Sequence, residues 1–329
     1  MKITHIISDK YDHFVMIGPG SDYGDQMWKD LTTIDNCLYN NGVLKECKPF
    51  KSFLHHLHFS FLLNRYFTLP FQNIWDNSYF LSNLSFEKNK RYCIIFTDVS
   101  ACRTGISFIR KLSSKENVDL ILINVNVFNS KKRLLLKRLP FFTKIYTFDI
   151  SDSKEYSFLY YPKFYSVYGL DTKDASDYAY DALFVGSSKG RALVLSKIAD
   201  KMVQDGLRPC FYITGTKKSE RISKNVIYNK RIDYDKVISL LKKSKCVVEL
   251  LAENQKGSTL RYVEAVCFNK LLLTNNVDAV HDMYFQSGNV QIFNNESDFS
   301  TSFIKDSAIS PYNYEGEYSP IHFLNELSS

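Results

Sequence analysis

The tightest constraint on the fold is a rhythm in which short apolar runs of strand length alternate with amphipathic stretches of helix length. It is plainest over Glu249–Asn276, ELLAENQKGSTLRYVEAVCFNKLLLTNN. Cys246–Leu251 is rich in β-branched residues and long enough for one buried strand. Ala252–Gly257 is polar and interrupts it. Ser258 or Thr259 caps a helix that contains Glu264, and Lys270–Thr274 is the next apolar run. Strands that alternate with helices in this way pair in parallel, and ligands bind such sheets beyond the strand carboxyl ends. Here that edge carries Glu253, Gln255, Lys256, Gly257, Ser258, Thr259 and Leu260, with Arg261 and Glu264 on the first helical turns. Helix N-terminal amides, two hydroxyls and a lysine suit a diphosphate. Glu264 is placed to accept two hydrogen bonds from a ribose diol. The same residues also make an ordinary capped helix with a solvated glutamate, and spacing alone leaves both readings open.

Upstream, Ile3–Ser8 is expected to be the first strand. The loop Ile17–Asp25, IGPGSDYGD, lets the backbone approach a ligand or simply turns. Residues 26–48 read as helix and short strand. Lys51–Phe71 mixes Phe and Leu with Lys51, His55, His56, His58 and Arg65. No Cys or carboxylate stands at ligand spacing from these histidines, so a helix with partly exposed imidazoles is expected rather than a metal site. Arg91–Ala101 is a buried strand ending in Asp98 and Ser100, Thr104–Lys115 a helix, and Val118–Val127 another strand. Ser130–Lys144 carries Lys131, Lys132, Arg133, Lys137 and Arg138 beside Leu and Phe. It reads either as an amphipathic helix with a solvated basic face or as a contact for an anionic membrane surface. Lys144–Asp149 is the next strand.

At 329 residues the chain has room for two domains. The sequence divides into a first domain over 1–165, a polar linker over 166–180, a second domain over 181–310 and a tail over 311–329. The second domain opens with strand Asp181–Gly186, then Ser187, Lys189 and Arg191 at the start of a helical run. This is either a second anion site on the same edge or a loop of solvated basic residues. Gly215 turns the chain after the strand Arg208–Thr214. Val226–Tyr228 is a short strand, and Arg231 and Ile232 lead into a helix from Asp235. The net charge of +7 fits an anionic ligand or surface. The basic runs lack the modules of RNA-binding folds, so no nucleic acid is expected. Seven cysteines without a C-x-x-C pair point to a reducing cytosol. The first eight residues are too weakly apolar for a signal peptide, and no stretch approaches the ~20 apolar residues of a membrane span.

The run Gly257-Ser258-Thr259-Leu260-Arg261-Tyr262-Val263-Glu264-Ala265, followed by Lys270–Asn276, resembles the donor-site segment of bacterial nucleotide-sugar glycosyltransferases of the two-Rossmann-domain type, the GT-B architecture. It is most similar to transferases of lipopolysaccharide O-antigen and capsule synthesis. Phe148-Asp149, Asp152 and Tyr156 resemble the same group, as do Met283-Tyr284 and Asn289–Phe293. The likeness spans roughly 118–295. Many retaining members carry a Glu eight positions before the helix Glu, and Lys256 stands there. That departure counts against a retaining mechanism that uses the first Glu.

The resemblance implies two Rossmann-like domains with a cleft between them, and a tail helix that crosses back to the first domain. It implies transfer of a sugar from a UDP-linked donor to a saccharide acceptor, expected to be lipid-linked. The donor residues it implies are Gly186, Ser187, Lys189, Arg191, Gly215, Arg231, Ile232 and Gln255–Arg261 with Glu264. No metal cofactor is expected, because Lys189, Arg191, Lys256 and Arg261 would stabilise the leaving group. Asp98 is the first candidate for a general base, then Asp22 and Asp25. A nucleotide-sugar epimerase of the same architecture and a non-catalytic sugar-nucleotide-binding subunit are the alternatives. The expected location is the cytoplasm, peripheral on the inner face of the membrane.

Overall fold

The computed structural model describes residues 4–45, 48–64, 68–128, 133–170, 172, 177–253, 255–257 and 259–329. The chain forms two compact units, Met1–Tyr168 with Tyr318–Ser329, and Gly169–Glu317. It leaves the first unit after Tyr168, so the opening of the polar segment 166–180 belongs to that unit. Ser166 is fully buried there, taking hydrogen bonds from the Gln26 side chain and the Asp30 amide.

The first unit runs β1 (His13–Ile17), α1 (Asp22–Trp28), β2 (Cys37–Asn40), α2 (Pro49–His58), β3 (Tyr92–Thr97), α3 (Asp98–Cys102) and α4 (Ile106–Ser113). It continues with β4 (Val118–Asn124), α5 (Arg133–Leu136), β5 (Lys144–Thr147), α6 (Ile150–Tyr156) and β6 (Leu159–Tyr160). The strands form one six-stranded sheet in the order β2-β1-β3-β4-β5-β6, and every pairing is parallel. Both faces are covered, as a parallel sheet requires. Val15, Ile94, Phe96, Leu120 and Leu122 pack on one side with Tyr79, Phe108 and Ile109. Their neighbours Phe14, Met16, Cys93, Ile95 and Ile121 pack on the other with Trp28 and Phe323.

The first strand is HFVMI, not the expected Ile3–Ser8. Four of its five residues are buried, and it pairs with β2 on one side and β3 on the other. Ile6 is buried but is held by the Asn36 carboxamide, while Ile7 is 88% exposed. One inward side chain does not suffice to seat a strand in a sheet covered on both faces.

The second unit runs β7 (Tyr180–Ser187), α7 (Ala192–Gln204), β8 (Pro209–Thr214), β9 (Val226–Tyr228), α8 (Tyr234–Lys242), β10 (Ser244–Glu249), α9 (Leu260–Cys267), β11 (Leu271–Thr274), β12 (Val290–Ile292) and α10 (Thr301–Asp306). Its six strands are again all parallel, in the order β12-β11-β10-β7-β8-β9. The last helix, α11 (Pro320–Ser328), belongs to the first unit, where Phe323, Leu324 and Leu327 enter the core.

Candidate functional site

In the second sheet every strand carboxyl end lies on one edge. From β7 the chain steps to β8 and β9 on one side, then returns to place β10, β11 and β12 on the other. Connections therefore diverge between β7 and β10. That gap is where an open parallel sheet receives ligands. The loop Ser187–Arg191 borders it from β7, and the loop from Leu250 to Thr259 borders it from β10.

Arg191 joins these two borders. Its guanidinium donates to the carbonyls of Ser187 (2.6 Å) and Ser188 (3.0 Å), and to that of Leu250 across the gap. Burial lowers its pKa, and the nearby Glu249 carboxylate opposes that shift. The sequence reading offers Arg191 to an anion, whereas the structure spends it on clamping the main chain. Lys189 and Gly190 both have left-handed backbones, with φ of 42° and 86°, and Lys189 is exposed at the tip of the turn. The Ser188 hydroxyl is buried with no hydrogen-bond partner. Gly215 makes its turn at φ 70°, its Cβ position only 3.4 Å from the Ser187 hydroxyl. Next to it the Asn229 carboxamide ties the Thr216 amide (2.9 Å) and carbonyl (3.0 Å) to the end of β9. Arg231 is exposed and Ile232 half-buried just beyond.

The N-terminus of α9 is partly occupied. Thr259 caps the helix by accepting from the Arg261 amide at 3.0 Å. Its own amide donates at 2.6 Å to Glu249, the fully buried last residue of β10, whose other oxygen accepts from the Thr274 hydroxyl at 2.5 Å. A protein carboxylate thus already satisfies one of the amides that the sequence reading offers to a diphosphate. Gly257 is buried, Gln255 half-buried and Lys256 exposed, and the Gln255 carboxamide donates to the Gly257 carbonyl at 3.2 Å. Leu260 is half-buried at the first helical position. Ser258 lies outside the described residues.

Glu264 is wholly buried, not solvated. The Tyr234 hydroxyl donates to one of its oxygens, and Arg261 Nη1 lies 2.7 Å from the other. Burial pushes its pKa up, while Arg261 and Tyr234 pull it back. The Arg261 contact is close yet poorly aligned, so Oε2 accepts no directed hydrogen bond. Oε2 thus faces the Arg261 guanidinium and has no surface exposed to solvent.

In the first unit Asp98 is buried at the start of α3. One oxygen accepts from the Val125 amide and the other from the Asn126 carboxamide, both at 3.2 Å. It latches the end of β3 to the loop after β4, so it is not presented as a base. Asp22 and Asp25 are exposed on the first turn of α1, where burial and then the nearby Asp25 carboxylate raise the pKa of Tyr39. A small cavity of about 10 Å³, room for roughly one water, lies at the carboxyl ends of β4 and β5, lined by Asn124, Val125, Tyr146, Phe148, Tyr161 and Lys163 among others. Neither end of the buried Asn124 carboxamide has a partner. Lys163 Nζ lies over the Phe148 ring and 3.3 Å from the Val125 carbonyl.

The described part of the basic run after β4 is not one continuous amphipathic helix. α5 spans only Arg133–Leu136. Arg138 is fully buried, donating to the Thr104 carbonyl at 2.9 and 2.7 Å, to Gln72 Oε1 at 3.1 Å and to the Leu134 carbonyl. It cannot touch a membrane surface. Arg133 and Lys137 are exposed, and Lys131 and Lys132 lie outside the described residues.

Sequence reasoning missed Glu249, Tyr234, Asn124 and Ser188. A single acid closing the apolar run of β10 was the one visible signal among them.

No protein-family model matches the chain, and no curated protein sequence does. Solved structures do. Sucrose-phosphate synthase from Thermosynechococcus elongatus superposes with a TM-score of 0.52 at 10% identity, covering 96% of each chain. The chain has the two-Rossmann-domain fold, GT-B. UDP-GlcNAc 2-epimerase from Neisseria meningitidis bound to UDP-GlcNAc aligns at 9% identity and TM-score 0.47, over 95% of this chain and 97% of that one. The epimerase from Methanocaldococcus jannaschii in complex with UDP-GlcNAc and UDP aligns at 7% identity and TM-score 0.48, over 96% and 97%.

Proposed function

We propose that the chain is a glycosyltransferase whose second domain binds a nucleotide sugar, UDP-linked, and whose first domain binds a saccharide acceptor. One observation carries the reading. The topological gap between β7 and β10 is bordered by Lys189 on one side and by Gln255, Lys256, Gly257 and the α9 start on the other, with Glu264 and Arg261 behind it. Lys189 and Lys256 supply exposed positive charge for a diphosphate. Glu264, buried and paired with Arg261, would accept from a ribose hydroxyl once that pair opens. Gly215, Arg231 and Ile232 lie along the same edge, beyond β8 and β9, where a base would rest.

In transfer, the bond between the anomeric carbon and the diphosphate oxygen breaks as the acceptor oxygen bonds to that carbon. The nucleoside diphosphate leaves with the electron pair, and the cations stabilise its growing charge. The acceptor proton passes to a base, for which the exposed Asp22 and Asp25 are our candidates.

The test is a panel of nucleotide sugars scored by thermal shift, then turnover of the binder with and without oligosaccharide acceptors. Acceptor-dependent release of UDP supports transfer. Turnover of the donor without any acceptor would assign an epimerase instead. No shift with any nucleotide sugar would refute the donor assignment.

A further inference from the structure

The second helix is amphipathic the wrong way round. Phe50, Phe53, Leu54 and Leu57 repeat at the spacing that makes one apolar stripe on α2. That stripe faces solvent, with Phe50 71% and Phe53 57% exposed. The buried residue of the helix is His55, packed against Phe59 and edge-on to Trp75. The exposed apolar surface continues past the helix through Leu62 (75% exposed) and Phe71 (74%). Phe71 holds a left-handed backbone, φ 59°, a costly conformation for an aromatic residue that buries nothing. Soluble surfaces rarely carry so much contiguous apolar area without a use for it.

Within the two stretches of chain that meet at the patch, the charge has one sign. From Cys47 to Trp75, and again from Val125 to Phe148, the sequence has no Asp or Glu. The structure brings these two stretches together. Lys137 Nζ donates to the Thr68 hydroxyl at 3.0 Å, and Arg138 donates to Gln72 at 3.1 Å. Exposed Lys51, Arg133 and Lys137 therefore rim the apolar patch.

We propose that this face of the first domain docks on an anionic phospholipid bilayer, with its Phe and Leu side chains at headgroup depth and Lys51, Arg133 and Lys137 against the lipid phosphates. Aromatic and leucine side chains ringed by cations and free of acids are what an interfacial contact needs. A second copy of the chain would bring the same positive charge to the contact and be repelled. Among the described residues no helix is long and apolar enough to cross a membrane, so the contact lies on the surface.

Sedimentation with vesicles tests this without any turnover, so its failure would leave the donor assignment intact. The full chain is expected to pellet with phosphatidylcholine–phosphatidylglycerol vesicles at low salt, to be released as salt rises, and to bind phosphatidylcholine alone far more weakly. Changing Lys51, Arg133 and Lys137 together to Gln is expected to weaken partitioning roughly a hundredfold, at about 1 kcal/mol per charge. Leu62→Ser and Phe53→Ser are expected to weaken it as well. All five side chains are exposed, and an unchanged melting temperature checks that each variant folds. Three results would overturn the proposal: wild type left in the supernatant with anionic vesicles at low salt, equal binding to neutral vesicles, or self-association abolished by Leu62→Ser with no vesicle binding.

Discussion

Two buried glutamates divide the work at the carboxyl edge of the second sheet. Glu249 holds the Thr259 amide and the Thr274 hydroxyl, and so fixes where α9 begins. Glu249→Gln keeps the shape but turns an N–H₂ group toward one of those donors. It is expected to cost about 1–3 kcal/mol, the penalty for a buried donor left unsatisfied, read as a lower urea midpoint. Glu264 holds the Tyr234 hydroxyl and the Arg261 guanidinium beneath the proposed ligand. Glu264→Gln is expected to weaken UDP binding by about 1.5–3 kcal/mol, the worth of hydrogen bonds to a charged group. Calorimetry with UDP decides it, and unchanged affinity in the folded variant removes Glu264 from the site. The two glutamates also differ in what pH reveals. Burial raises the Glu264 pKa above its usual 4.5, so the stability it contributes is present below that value and is lost as pH rises through the folded-state pKa. The Gln variant, a mimic of the protonated form, should therefore gain on wild type as pH rises from about 4 to about 8.

At the scale of elements, α2 hangs on His55. Burial pushes this imidazole down to about 4, and an unfolded chain binds its proton near pH ~6.5. Between those values the unfolded state holds more protons than the folded one. The stability contributed by the neutral ring is thus complete above the unfolded value and is lost as pH falls toward the folded one. His58 and His56 add positive charge nearby and push the same way, while a backbone hydrogen bond at Arg103 opposes the shift. Urea midpoints measured near pH 7 and near pH 5 should fall further for wild type than for His55→Leu. Equal pH dependence would mean that His55 does not stay neutral in the folded state.

For the molecule as a whole, the terminal helix is a structural part of the first domain although the whole second unit, Gly169–Glu317, precedes it in the chain. Phe323 packs edge-on against Tyr146, Tyr161 and Phe164. Phe323→Ala is expected to cost about 3–5 kcal/mol, as for a large buried aromatic, and to lower the first unfolding transition seen by calorimetry. A variant that melts like wild type would show that α11 is not needed by that core. The proposed chemistry also makes a statement about the whole enzyme. With cations rather than a carboxylate pair stabilising the leaving group, turnover should persist in EDTA. Loss of activity that manganese or magnesium restores would show that a metal takes that role.

Much of this was legible along the chain, and the reason is local. In a parallel sheet covered on both faces, strands read as short unbroken apolar runs such as YCIIFT and LLLT, and the helices between them carry their own period. A cap such as Thr259 acts on its neighbour two residues on. Residues placed after successive parallel strands share one edge whatever the strand order. What the sequence did not decide is which side chains meet across that edge. Along the chain Arg191 looks like an anion ligand because its partner carbonyl on Leu250 is 59 positions away, and Arg138 looks like a surface charge because Gln72 is 66 away. Strand order brings such partners together, and no local pattern encodes them. The same holds for α2. Its periodicity fixes that it has an apolar face, but packing of His55 against Trp75 and Tyr79 decides that this face points outward. Local propensity and pattern set the elements, whereas the burial of charge and the exposure of apolar surface follow from contacts that exist only once the sheets are assembled.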